Sequence, residues 1–110
     1  MKANKPDKEK EIKGLPKNVN EAVDFLYNAL SLKAKTNIAN IPEDELVNLH
    51  SSLGAYIRNS FGLWSGNDLL LQSCKEILGE DEIHPDEASS VIIEELWKKL
   101  EKEHLLRRVK

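Results

Sequence analysis

The sequence predicts an all-α fold, an irregular bundle of four long helices plus one short helix. Three observations carry that expectation. Apolar residues recur at spacings of three and four in successive segments. Those segments are bounded by residues that start or stop helices. No segment alternates apolar and polar residues as a half-buried strand would. The chain has 110 residues, enough for one domain. Its 40% apolar content suffices for a core, and its 32% charged content implies a well-solvated surface.

The elements follow in chain order. Residues 1–14 lack apolar periodicity and are expected to form a disordered tail. Leu15-Pro16 then opens a single helical domain expected to span residues 15–104, with 105–110 as a basic tail. Asn20 is a candidate cap for a first helix whose stripe is Val19, Ala22, Val23, Leu26 and Leu30. Ser31 is the cap expected for a short helix that buries Leu32 and Ile38 weakly and ends near Asn40, since Pro42 holds Ile41 away from helical angles. Pro42 starts a third helix, with Glu43, Asp44 and Glu45 in the first turn where the helix dipole favours negative charge. It is expected to run unbroken to about Ser60, with Leu46, Leu49, Leu53 and Ile57 on one face and Phe61-Gly62 as its stop. Asn67 caps a fourth helix closed by Gly79, in which Leu70, Cys74, Ile77 and Leu78 face inward. Pro85 opens the last helix. Its stripe (Ala88, Val91, Ile92, Ile93, Leu96, Trp97, Leu100) is wide enough to meet two or more neighbours.

Charge divides the chain. Residues 1–13 carry +2 and residues 98–110 carry +4, which leaves −9 on residues 14–97. An acidic body disfavours a broad nucleic-acid face, because phosphates need compensating cations. It suits a basic protein partner, whose approach it would speed, and it suits plain solubility equally. The single cysteine excludes an intrachain disulfide and any zinc site built on several thiolates. No membrane-spanning run and no secretory signal are evident, so the expected setting is a reducing compartment, the cytoplasm. No cofactor or metal is expected, since His50, His84 and His104 show no paired spacing. Phosphate-binding glycine loops and nucleophile elbows are absent too.

The candidate binding residues are His50, Arg58, Asn59, Trp64, Asn67, His84 and Asp86. On the expected continuous helix, His50, Gly54 and Arg58 form one strip at i, i+4 and i+8. Glycine inside a helix costs about 1 kcal/mol against alanine, so Gly54 implies close approach of another helix or of a bound group. Arg58 and Asn59 offer planar donors to a carboxylate or phosphate, while Arg58 is equally suited to pair with an acidic side chain. The connection Phe61–Asn67 combines Phe, Trp, Asn and two Gly, and Trp64 serves there either as a plug or as a binding anchor. His84-Pro85-Asp86 is also the tripeptide of J-domain co-chaperones, but there it follows a basic helix. Here it follows Gly79-Glu80-Asp81-Glu82 and opens a helix, which argues against that role.

Taken as an ordered set, these runs resemble an uncharacterised family of small bacterial helical proteins, classed as a domain of unknown function. The runs begin with Leu15-Pro16, Glu21-Ala22-Val23-Asp24 and Pro42-Glu43-Asp44-Glu45-Leu46. They continue through Leu49-His50, Leu53-Gly54, Ile57-Arg58-Asn59, Phe61-Gly62-Leu63-Trp64 and Gly66-Asn67. The last are His84-Pro85-Asp86, Ala88-Ser89, Ile92-Ile93 and Leu96-Trp97. The resemblance implies one domain over about residues 15–100 and no particular activity. The functional expectation is a non-catalytic module that binds a protein partner, an immunity-type inhibitor of a basic toxin being one concrete form. The alternative is a small-anion-binding protein or enzyme with His50, Arg58, His84 and Asp86 around one pocket.

Overall fold

A computed structural model of the chain describes residues 14–109, with side chains described as far as residue 103. Of the expected tail over residues 1–14, residues 1–13 lie outside the described residues, as do the side chains of the expected basic tail over 105–110. Five α-helices and one 3₁₀ helix make up the described fold: α1 (Val19–Ala29), α2 (Leu32–Ala39), the 3₁₀ helix (Glu43–Leu49), α3 (Leu53–Ser60), α4 (Asp68–Leu78) and α5 (Pro85–Val109). The all-α class holds. Among the described residues, no helix is long and apolar enough to cross a membrane.

The helix α5 is the hub. Ala88, Ile92 and Leu96 are fully buried along it, and it packs against α1, α2, the 3₁₀ helix, α3 and α4. The wide apolar stripe of its sequence is what allows one helix to serve so many partners. Trp97 Nε1 donates to the Ile41 carbonyl at 2.7 Å, which fixes the chain just before the 3₁₀ helix.

The helix ends are set by local chemistry. Ser31 Oγ accepts from the Ala34 N–H at 3.1 Å, and Gly79 closes α4 in the left-handed conformation at φ 78°, as expected. The first cap is Asn18 rather than Asn20. Its Oδ1 accepts from the Glu21 N–H at 2.9 Å, and the Glu21 carboxylate accepts from the Lys17 N–H. The Val19 N–H donates to Ser73 Oγ of α4 at 3.0 Å, so the helix starts where a neighbour takes up its first donor.

The expected single helix from Pro42 to Ser60 is instead two elements. The 3₁₀ helix ends at Leu49 and α3 begins only at Leu53, with Ser52 between them at a distorted φ −103°, ψ −77°. Serine competes for nearby backbone groups, and Ser52 Oγ donates to the Leu49 carbonyl. The His50 carbonyl accepts from Arg58 Nη2 at 3.4 Å. His50, Gly54 and Arg58 therefore do not share one continuous helix, although Arg58 reaches back to both.

Two further expectations are corrected. Ile77 and Leu78 are exposed rather than inward-facing. Cys74 lies level with the first turn of α5, where its Sγ meets the Ala88 carbonyl at 3.6 Å, so the last turn of α4 projects beyond the hub helix. Leu32 is exposed as well, while Ile38 is buried. Cys74 is a core residue, as expected. Burial pushes its thiol up to about 12 from an ordinary 9.0. The thiol therefore stays protonated in the fold at pH values where it ionises in the unfolded chain, and that contribution to stability declines as pH rises above about 9. A thiol-reactive disulfide reagent at pH 8 is expected to label Cys74 only at the rate of unfolding; rapid stoichiometric labelling of native protein would contradict this.

Candidate functional site

The polar residues singled out by sequence meet where α3, the Phe61–Asn67 connection and the start of α5 converge. Arg58 is the centre. It rises from α3, and its side chain is only 12% exposed. Nη1 donates to Ser89 Oγ at 3.0 Å, Nη2 to the His50 carbonyl at 3.4 Å, and Nε faces Asp86 Oδ1 at 3.3 Å. Each nitrogen of the guanidinium thus has a partner, one on the 3₁₀ side and two on α5. A methyl on Gly54 would come within 2.9 Å of Arg58 Nη1. The closest approach at Gly54 is made by Arg58, and Ser89 Oγ of the neighbouring helix α5 lies next, 3.6 Å from that methyl position.

Ser89 is fully buried and carries two bonds, accepting from Arg58 and donating to the Asp86 carbonyl at 2.9 Å. Ser90 Oγ donates to the same carbonyl at 3.1 Å and lies 3.4 Å from His50 Nδ1. These two serines were not among the candidate residues. The signal for them was their spacing: positions three and four after Asp86 place both hydroxyls over its carbonyl on the first turn of a helix.

His84 precedes α5 and finishes its N-terminus. Its Nδ1 accepts from the Asp86 N–H at 3.0 Å, while its own N–H donates to Glu87 Oε1 at 3.0 Å. This is a reciprocal capping arrangement with an imidazole in place of the usual hydroxyl or carboxamide. An accepting Nδ1 puts the ring proton on Nε2, which points away from the cap. Asp86 Oδ2 lies 3.7 Å from the same Nδ1, a contact that becomes an ion pair only when the ring is protonated. Trp64 meets the His84 ring edge-on, with centroids 5.6 Å apart at 85°. The indole nevertheless remains 55% exposed, so it is braced from one side and open on the other.

Acidic residues flank this pair in sequence. Asp68, Asp81 and Glu82 line a hollow of about 470 Å³ together with Leu71, Gln72, Lys75 and Ile83. Glu82 is two residues from His84, and Asp68 is four from Trp64.

The structure thus brings together His50, Arg58, Trp64, His84 and Asp86. Asn59 is exposed on α3 and takes no part in these hydrogen bonds. Asn67 has a separate structural task. Its Oδ1 accepts from the Leu70 N–H, and its Nδ2 donates to the Phe61 carbonyl at 2.8 Å and the Pro16 carbonyl at 2.9 Å. It clamps the connection that carries Trp64 onto the start of the folded chain. Asn67→Asp keeps the cap but removes both donors and sets a carboxylate against two carbonyls. It is expected to destabilise by about 2 kcal/mol, measured by urea denaturation. A change below about 0.5 kcal/mol would mean the clamp carries no strain-bearing contact.

Among the described residues, no group of three or more His, Cys, Asp or Glu side chains is placed to hold a metal. A family model described as a domain of unknown function (DUF6794) matches residues 15–100. Comparison with curated proteins and with solved structures finds no match.

Proposed function

Because the chain belongs to the DUF6794 family, whose description carries no activity, we propose a function from the site alone: a non-catalytic module that binds a basic segment of a protein partner. The observation that carries this reading is Trp64, a half-exposed indole in T-shaped contact with His84, on a segment followed by Asp68 and against a residue flanked by Asp81, Glu82 and Asp86. Rigid aromatic anchors with one open face are the residues that dominate binding energy at interfaces. The open face of an indole also attracts Arg and Lys, by about 0.5–1 kcal/mol at exposed sites and more when water is excluded. Asp68, Asp81, Glu82 and Asp86 add a negative field that speeds encounter with a cation and rejects acidic competitors.

The Arg58 node is the scaffold of this surface. Its guanidinium already serves Ser89, His50 and Asp86, so an incoming anion would have to displace an internal partner. An inhibitor that covers the basic surface of a toxin is one biological form of such a module.

The test uses the full chain and two synthetic peptides, one bearing Arg and Lys and one with Glu at the same positions, followed by tryptophan fluorescence. Trp97 is buried, so the change reports mainly on Trp64. The basic peptide should bind and weaken as salt rises; the Trp64→Ala chain, which lacks the reporting indole, is read by calorimetry and should bind it at least tenfold more weakly, about 1.4 kcal/mol. Equal binding of the acidic peptide, or no effect of Trp64→Ala, refutes the proposal.

A further inference from the structure

A second hollow lies on the other side of Ser90 from Asp86. It has a volume of about 230 Å³ between the 3₁₀ helix and α5. Its apolar lining is Leu46 and Ile93, both buried, and the largely exposed Val47; His50, Ser90, Glu43 and Glu94 are its polar lining. Neither carboxylate has an ion-pair or hydrogen-bond partner among the described residues. An apolar lining shared with two unneutralised carboxylates is complementary to one side-chain chemistry. A lysine lays its four methylenes along apolar surface and keeps its ammonium at the rim.

The position of this hollow relative to Trp64 carries the argument further. Asp86, Ser90 and Glu94 are spaced i, i+4 and i+8, so they form one strip along α5. The strip starts at Asp86, beside the His84 ring that meets Trp64, and ends at the hollow. Eight helical residues at 1.5 Å each make it about 12 Å long. Four residues of extended chain cover about 13 Å, and residues four apart in an extended chain point to the same side. Residues three apart point to opposite sides.

We infer that the hollow is the second anchor of the same interface, a lysine subsite that reads a partner's two cations at a spacing of four residues in an extended segment. One cation meets Trp64 and Asp86; the lysine enters between Glu43 and Glu94. This inference rests on the proposed binding surface at Trp64 and adds to it a register that the surface alone does not specify.

Three peptides test it against the full chain by calorimetry. One carries Arg and Lys four residues apart, one has the same composition with the pair three apart, and one has Arg alone. The four-apart peptide should bind at least tenfold tighter than the other two. Glu94→Gln, and separately Glu43→Gln, should erase most of that advantage while leaving the Arg-alone peptide unchanged. Equal affinities for the two spacings, or retention of the advantage in both variants, overturns the lysine subsite. If Trp64→Ala still weakens every peptide in that case, the primary surface stands and only the second anchor falls. If Trp64→Ala weakens none of them, or if no peptide binds, both fall.

Discussion

Phe61→Ala lowers the unfolding free energy by about 4 kcal/mol, the range found when a large aromatic is truncated in a packed core. Phe61 is only 1% exposed, and two rings meet it edge-on, Phe25 at 5.4 Å and Tyr56 at 6.3 Å between centroids. Truncation removes both aromatic contacts and opens a void between α1 and α3. Neither neighbour is well placed to fill it, because each is half exposed and anchored on its own helix. The same residue ends α3, and its carbonyl accepts from Asn67. The void therefore sits under the connection that carries Trp64, and peptide binding should weaken along with stability. Urea denaturation followed by circular dichroism measures the first effect. A loss under about 1 kcal/mol would show that the cluster collapses around the smaller side chain, contrary to the rigidity argued from the ring contacts.

The second large effect is a coupling. Arg58→Ala should destabilise by about 2 kcal/mol, since it removes charge-assisted bonds to Ser89, His50 and Asp86. The figure is held below that of a fully buried pair because Asp86 is half exposed and partly screened by water. Arg58→Lys should rescue little, as one ammonium cannot serve three directions at once. Gly54 changes sign with this background. In the native chain Gly54→Ala drives a methyl against Arg58 Nη1, and the lost guanidinium contacts offset the gain in helix propensity. In the Arg58→Ala chain the other atoms near that methyl, the Leu49 carbonyl oxygen and Ser89 Oγ, are at an ordinary 3.6 Å. There Gly54→Ala should stabilise, by less than the about 1 kcal/mol of a helix interior because Gly54 is the second residue of α3. A double-mutant cycle reads this directly, and additive effects of the two substitutions would sever Gly54 from Arg58.

Several features of the fold were legible because they depend on neighbours in sequence. Ser31, Asn67, Gly79 and Pro85 act within one turn of their own positions, and the α5 stripe reports its burial through spacing alone. The break between the 3₁₀ helix and α3 was not legible. Leu46, Leu49, Leu53 and Ile57 satisfy a continuous helix, and the interaction that accompanies the break is made by Arg58 with the carbonyl of a residue eight positions earlier. The first cap was misplaced because Asn18 and Asn20 are equivalent as residue types; Glu21, three residues after Asn18, is the local feature that separates them, and the bond from Val19 to Ser73 is the long-range one.

At the site, residue type drew attention to Arg58, His84, Asp86 and Trp64, but not to how they divide the work. Arg58 to Ser89 spans 31 residues, a pairing no local pattern announces. His84 had no explanation in the sequence because histidine is an uncommon helix cap; its geometry supplies one. Asn67 looked like a binding residue for the same reason that it makes a good clamp. A side chain with both donors and an acceptor is useful for either task, and here all three of its bonds stay within the chain.

The placement of the hub helix has a consequence for how the chain is made. Every other described helix packs on α5, yet α5 is the last of them to be synthesised. Until it leaves the ribosome, α1 to α4 have no common surface on which to bury Leu26, Ile38, Ile57 and Leu70. At 5–20 residues per second, the roughly 80 residues ahead of α5 wait several seconds in that state. Folding on the ribosome is therefore a late, single event here, and the nascent chain is most open to chaperones or proteases just before Ile92 and Leu96 emerge.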